Sequence, residues 1–599
     1  MIPNHQHTFH IPVMGLGFTI DSPAKIAKYG ISSVISIMED ELIESMRAFY
    51  CKAYGITYQP IKQNEEDYRA RRITAYLNTI NQVVNIQFET LKKSSFSPDS
   101  ELSRYFELLP DSSPLRKRFI AMCAMPEGIE KTSVQQELRS AMKPGSIDVN
   151  IMAKADRLGY SEDGKELLPE FSNALSSLRG FAKSDLKSSL VISAGYNPRL
   201  YSYIGQFKDF FPDENGMLTK KIVLKVSDYR SAQIQGLLLA KKGIWVSEFR
   251  VESGLNCGGH AFPTEGLLTG PILEEFKEKK ESLREALKNQ CNTAWEGLGI
   301  PHDHFNYEIT YSAQGGIGTF EEDTFLRKHY QLDYTGWGSP FLLVPECTNV
   351  DEETLKKLTQ AEPSDYYLSY ASPLGVPFYN FRLSSANTER INRIKANRPG
   401  SPCYKKHLAS NTEFTTETIC TASREYQQLK IKSVTESAVS EEEKAAQIKR
   451  ITEKECLCEG LSTATLLKNK LPLSHKLKSV SICPGPNMAF FSRIATLEEM
   501  CGHIYGRTNL ISKKRPHLFI NELKLYVDYF KRQMASNPLS NQELKYLNNF
   551  KNNLLKGIDY YKNLFLTIQN LTVSTTENMI LQLREFEEQL QNEEAFVIG

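Results

Sequence analysis

The chain has 599 residues, and its 72 Lys and Arg against 71 Asp and Glu leave a formal net charge of +1. That length exceeds one small core and implies two or more domains, or one large barrel with an appendage. The charge balance gives no overall pull towards nucleic acid or an anionic membrane, and no apolar run reaches the roughly 18 residues that would span a bilayer.

The start, "MIPNHQHTFHIPV", lacks the basic and apolar stretches of a secretory signal. Eleven cysteines without such a signal read as cytoplasmic thiols or metal ligands rather than a disulfide framework. From there, short β-branched runs alternate with helical segments over the first 350 residues. The runs are "IPVMG" (11–15), "ISSVISI" (31–37), "IDVNIMA" (147–153), "SLVISAG" (189–195), "KIVLKVS" (221–227), "GIWVSEF" (243–249), "YEITYSA" (307–313) and "LDYTGWG" (332–338). Several are continuously apolar, as strands buried on both faces of a parallel sheet are. Eight strands alternating with helices predict an α/β fold, a (β/α)8 TIM barrel, over residues 1–396.

Residues 38–145 interrupt this rhythm and predict a helical insertion after the second strand. Past residue 350 the strands fade. "NRPGSP" (397–402) marks a linker, and residues 397–599 predict a mainly helical extension. Three Ser-x-x-Glu boxes announce helices there: Ser440 with Glu443, Ser540 with Glu543, and Ser574 with Glu577. The stripe of Leu523, Val527 and Phe530, with Tyr526 beside it, is expected to pack on the barrel or a partner subunit. Cys403, Cys420, Cys456, Cys458, Cys483 and Cys501 fall in this extension. Their spacing fits no standard ligand pattern, so scattered buried thiols are the expectation and an iron–sulfur cluster the alternative.

Functional groups of a barrel gather where strands end, in the loops of its C-terminal face. "NCGGH" follows the sixth run, and "AQGGIGTFEED" follows the seventh with Gly315, Gly316 and Gly318 before a helix. The eighth continues into "GWGSPFLL", with Gly338 and Ser339 before another helical start. Bare backbone at a helix N-terminus suits a phosphate, and the loops after strands seven and eight are where this fold class places one. By position alone, Asn150, Ser193 and Lys225 stand at the ends of strands three, four and five. A phosphorylated planar cofactor would fill the space between these groups.

The motifs "PVMGLGFTIDSP", "GGH", "AQGGI" and "GWGSPFLLVPE", in this order, resemble those of the FMN-dependent nitronate monooxygenase family, which is 2-nitropropane dioxygenase-like and includes flavin-dependent enoyl reductases. The resemblance covers residues 10–350. The chain departs from it in "CGGHAF" where the family has "AGGHRG", in the insertion, and in the extension. The resemblance implies that Met14, Gly15, Leu16 and Gly17 border the isoalloxazine, and that Gly258 and Gly259 approach the ribityl or phosphate part. Gly315, Gly316, Gly338 and Ser339 would grip the FMN phosphate. His260 would be the catalytic acid or base, with both of its forms accessible near neutrality. Lys225 would balance charge on the reduced ring. These expectations describe a cytoplasmic FMN oxidoreductase with NAD(P)H as candidate electron donor, a small-molecule or acyl substrate, and neither nucleic acid nor membrane as partner. A homodimer stays open, and no metal ligands are assigned. Two alternatives stand beside it. One is a flavin-free barrel binding another phosphate ester as lyase or isomerase. The other is a flavoprotein with an added iron–sulfur cluster.

Overall fold

The computed structural model describes residues 6–152, 156–159, 165–193, 195–256, 259–260, 265–473, 477–535, 539–567 and 573–593. Eight strands, β1 Phe9–Ile11, β2 Ser32–Ser36, β3 Ile147–Ile151, β4 Ser189–Ile192, β5 Lys221–Val226, β6 Val246–Glu252, β7 Thr310–Gln314 and β8 Tyr334–Gly336, form one closed barrel in chain order. Every neighbouring pair is parallel, and β1 closes the ring by pairing with β8 through Phe9–Thr335 and His10–Gly336. The α/β barrel expected from the sequence is therefore present.

Strand residues alternate between two environments, as the two-residue period of a strand requires. One set, including Ile35, Val149, Leu190, Ile192, Leu224, Phe249 and Val251, joins the large core shared with the surrounding helices. The other set faces inward. Val34, Val191 and Val223 form their own small apolar cluster with Val13. Around that cluster the inner face is polar. Arg250 Nε donates to Glu248 Oε1 at 2.7 Å, and Ser312 Oγ donates to the same oxygen at 2.5 Å. Tyr334 Oη donates to Glu248 Oε2. Burial alone would raise the Glu248 carboxyl, but Arg250 beside it and the hydroxyl donors bring it below its usual range. A buried charge persists only when paired in this way.

Side-chain caps start several helices just past the strands. Glu39 accepts from Leu42 N at 2.9 Å, Asn197 from Leu200 N at 3.0 Å, Asp228 from Ser231 N at 2.6 Å and Thr319 from Glu322 N at 3.2 Å. Five helices lie between β2 and β3: Asp40–Tyr54, Tyr68–Lys93, Glu101–Glu107, Pro114–Cys123 and Ile129–Ala141. After β8 come an antiparallel hairpin, β9 Tyr366–Ser369 and β10 Phe378–Phe381, and a series of helices. The boxes at Ser440 and Ser540 cap the helices Glu441–Thr452 and Asn541–Thr567, whereas the last helix begins at Val573, one residue before Ser574. Leu523, Tyr526, Val527 and Phe530 are buried, and Tyr526 sits against Gly254 in the loop after β6. One continuous apolar core runs from Phe9 to Leu590. Among the described residues, no helix is long and apolar enough to cross a membrane.

His7, just ahead of β1, is buried with Nδ1 2.8 Å from Tyr505 Oη and Nε2 3.1 Å from the Tyr29 carbonyl. Burial lowers its pKa to about 4. The unfolded chain therefore binds a proton between pH 6.5 and 4 that the native state refuses. The resulting stability is complete above pH 6.5 and falls as the pH drops towards 4, by roughly 3 kcal/mol for this one group. Urea unfolding of the His7→Gln variant should show a correspondingly flatter pH dependence over that interval. An unchanged slope would mean the ring is protonated in the native state.

Candidate active site at the barrel mouth

The inward residues at the C-terminal ends of β3 to β7 join into a polar wall. Lys225 Nζ lies 2.9 Å from Glu252 Oε2, and Gln314 Nε2 donates to Glu252 Oε1 at 2.7 Å. Asn150 and Ser193 bond reciprocally, Nδ2 to Oγ at 2.8 Å and Oγ to Oδ1 at 2.9 Å. Lys225 and Glu252 keep 11% and 18% of their side chains exposed, so this pair meets solvent at the mouth while Gln314 is buried. Asn150, Ser193 and Lys225 thus stand on the inner wall, as position along the strands suggested. Glu252 and Gln314 were missed. The apolar Ile244 and Trp245 pull the sixth run three residues early, whereas both pack beneath the barrel and the strand proper runs through Glu248, Arg250 and Glu252 at a period of two.

The turn after β7 is built differently. Gly315 and Gly316 take left-handed φ values of 99° and 75°, open to glycine at little cost. Three successive carbonyls are then held by one distant stretch of chain. Gly316 O accepts from Arg515, Ile317 O accepts from Asn487 Nδ2 at 2.8 Å, and Gly318 O accepts from His503 Nε2 at 2.9 Å. Leu510 N donates to His503 Nδ1 at 3.2 Å, which fixes the tautomer with the proton on Nε2. Glu322 completes the brace: its carboxylate accepts from Gly318 N at 2.9 Å, Arg515 at 2.6 Å and Leu518 N at 2.7 Å.

In a planar trans peptide, C=O and N–H point in opposite directions. With the Gly316 carbonyl drawn to Arg515, the Ile317 N–H faces away from that stretch. Among the described residues, neither Ile317 N–H nor Ser339 N–H, at the start of the short 3-10 helix Ser339–Leu343, donates to a protein acceptor. These two buried donors lie on the turns after adjacent strands, and free backbone N–H groups at such turns suit an anion.

The loop after β1 departs from expectation. Met14 N donates to Thr19 Oγ1 at 3.1 Å. A Cβ on Gly17 would stand 2.3 Å from Thr465 Oγ1, and one on Gly15 would stand 2.7 Å from the Phe18 ring and 3.7 Å from Leu461. The bare backbone here admits the chain's own helix Leu457–Lys468, so the face of Gly15 to Gly17 assigned to a flavin ring is occupied, and Leu16 is half-buried beside it. The N–H groups of Gly15 and Gly259 both reach the sulfur of buried Cys483, which burial pushes up to about 12.

His260 is placed by the hairpin. Its Nε2 lies 2.6 Å from Ser372 Oγ, its ring meets Phe378 edge-on at 5.3 Å, and Gly259 O accepts from Tyr379 N at 3.0 Å. Gly259, at φ 87°, has open space where a Cβ would stand. Gly258 and Cys257 lie outside the described residues. The turns after β7 and β8 thus offer the N–H groups of Ile317 and Ser339, with Asn256 and Leu255 packed on the Cβ side of Gly315 and Gly316, and the inner wall offers a hydrogen-bonding edge. On the Cβ side, Gly15 and Gly17 are packed by Phe18, Leu461 and Thr465, while Gly15 and Leu16 stay partly exposed. Compared with known proteins, the chain matches no family model and no curated protein.

Arg515 and Glu322 are both nearly fully buried, at 3% and 4% side-chain exposure. Arg515→Met should destabilise the chain by about 3–5 kcal/mol, because it leaves Glu322 charged and uncompensated. Adding Glu322→Gln should recover part of the loss. Urea titration of the three variants measures this, and a single variant as stable as the parent would show that the pair does not brace the turn.

Proposed function

We propose that the protein is an FMN-dependent oxidoreductase of the nitronate monooxygenase or enoyl reductase type, acting at the C-terminal mouth of the barrel. The observation that carries this reading is the pairing of two buried, unpartnered N–H groups, Ile317 and Ser339, with a polar wall on the neighbouring strands. The phosphate would be held by those N–H groups, at Gly316–Ile317 and Gly338–Ser339, and the polar edge of the ring by Asn150, Ser193 and Lys225.

When bound, FMN supplies the capacity to accept and return an electron pair. The chain's own groups do the rest. Lys225 offers a positive charge whose direction is set by Glu252, and Gln314 in turn fixes that carboxylate. Glu252 is a second polar group, besides His260, that would orient the substrate. Ser372 and Phe378 fix the His260 ring, so its proton exchange occurs at one orientation. NAD(P)H as electron donor and a small or acyl-type substrate belong to the same proposal.

One observation favours a second reading. Leu461 and Thr465 pack beside Gly15 and Gly17, where the ring would lie, while the N–H groups of Ile317 and Ser339 have no protein acceptor, which suits a smaller, flavin-free phosphate ester.

Titrating the full-length protein with FMN and with riboflavin, followed by flavin fluorescence, separates the two. FMN should bind at least about 100-fold more tightly than riboflavin, a difference of about 2.7 kcal/mol from the phosphate alone. Lys225→Met should weaken FMN about tenfold. Equal affinity for both flavins, or none for either with tight binding of a small phosphate ester, would defeat the flavin reading.

A further inference from the structure

Four cysteines far apart in sequence share one buried place beside the barrel. The segment at 400–403 lies along 420–424: Ser401 N donates to Ala422 O at 2.9 Å, Arg424 N donates to Ser401 O at 2.8 Å, and Ser401 bridges Ser423. This brings Cys403 and Cys420 together in a small cluster with Ala409 and Ala422, separate from the main core. Cys456 is the N-cap of the helix Leu457–Lys468, and Cys458 lies in its first turn. Ser401, Ala422 and Cys456 line one cavity, so the second pair borders the first. All four are free thiols, and Cys403, Cys420 and Cys458 are 7%, 4% and 5% exposed.

Three features mark this place, the last of them found at no other buried thiol among the described residues. The thiols of Cys403 and Cys420 hydrogen-bond to each other, and the main chain of Lys406, Ala422, Glu459 and Leu408 lies beside Cys403, Cys420, Cys456 and Cys458 in turn. A neutral thiol gains little from main-chain donors, whereas thiolate ligands are held and tuned by them. Basic side chains also lie near the group, Lys406 and Arg157 by Cys403, Lys454 by Cys420, and by Cys458 Lys405, which pairs with Glu39 at 3.1 Å, while Glu459 lies by Cys456. Finally, Cys403 and Lys406 hold left-handed φ values of 56° and 54°, costly for side chains of this kind and retained where a site demands them.

Among the described residues, no three His, Cys, Asp or Glu side chains converge where one metal ion would sit. A structural zinc, which gathers four ligands on one ion, is therefore not what the group forms. A polynuclear cluster has the opposite requirement. Each of its irons takes only one or two cysteine thiolates, and two pairs of thiols from separate segments supply them.

We propose that Cys403, Cys420, Cys456 and Cys458 ligate an iron–sulfur cluster. Uptake of a preassembled cluster from a thiolate-ligated carrier breaks four S–H bonds here and four S–Fe bonds on the carrier, and forms four S–Fe bonds here. The carrier's thiolates take the protons, and no iron or sulfur changes oxidation state. Cys458 precedes Leu461, the residue against Gly15, by three positions, a helix rise of about 4.5 Å. The cluster thus stands next to the barrel mouth, and its presence does not depend on the flavin reading.

The test is iron, acid-labile sulfide, zinc and flavin analysis of the full-length protein, purified without oxygen and again after incubation with iron and sulfide. The expected result is iron and sulfide in equal amounts, about two or about four per chain, with broad visible absorption that bleaches on reduction. Cys403→Ser and Cys456→Ser should each lose most of the iron, and Cys347→Ser, a buried thiol of the barrel core, should keep it. Absence of iron and sulfide in the parent after both treatments overturns the proposal, as does stoichiometric zinc or a Cys403–Cys420 disulfide in their place. The parent's own metal content decides the matter even if a variant fails to fold, and flavin content is read independently.

Discussion

Three neighbouring carbonyls turned outward at residues 316–318 are the constraint on which the mouth of this barrel depends. A bare glycine turn is soft, since Gly315 and Gly316 can occupy several conformations at similar cost. Arg515, Asn487 and His503 remove that freedom by taking one carbonyl each, and Glu322 ties the following N–H to the same guanidinium. All three clamping residues come from the chain beyond residue 480. The segment that the sequence sets apart as an extension is thus part of what shapes the turn, and it packs Leu461 and Thr465 on the loop after β1 as well.

The interior follows the same rule that every buried charge has a partner. Glu248 and Arg250 form one paired layer with Ser312 and Tyr334 around them, and Lys225, Glu252 and Gln314 form another at the mouth. Apolar side chains in these places would give comparable or greater stability. The polar layers instead carry directional groups to one end of the barrel, where the largely buried Lys225 and Glu252 keep a small exposed edge.

Much of the barrel was legible because outward strand residues are β-branched and apolar: the runs around β2, β3, β4 and β5 overlap the observed strands closely. β6 was read three residues early, since hydrophobicity marks Ile244 and Trp245 beneath the barrel and not the charged inner face that follows. Asn150, Ser193 and Lys225 could be placed because strand ends locate them. Glycine was ambiguous. Gly316 serves a left-handed turn packed on Leu255, while Gly17 serves close packing against Thr465 without one, and both look alike in a motif. The contacts that decide the site, Arg515 to Gly316 or Ser372 to His260, join residues more than 100 positions apart, and no local pattern encodes them. The cysteines were obscured for the same reason, because Cys403 meets Cys420 only after the segments at 400–403 and 420–424 pair.

A crystal structure of the full-length protein grown with FMN tests the central claim most directly. The account predicts a phosphate with its oxygens about 2.7–3.0 Å from the N–H groups of Ile317 and Ser339, and the ring edge along Asn150, Ser193 and Lys225. A phosphate bound elsewhere, or those two N–H groups covered by the chain itself while flavin is present in excess, would contradict it.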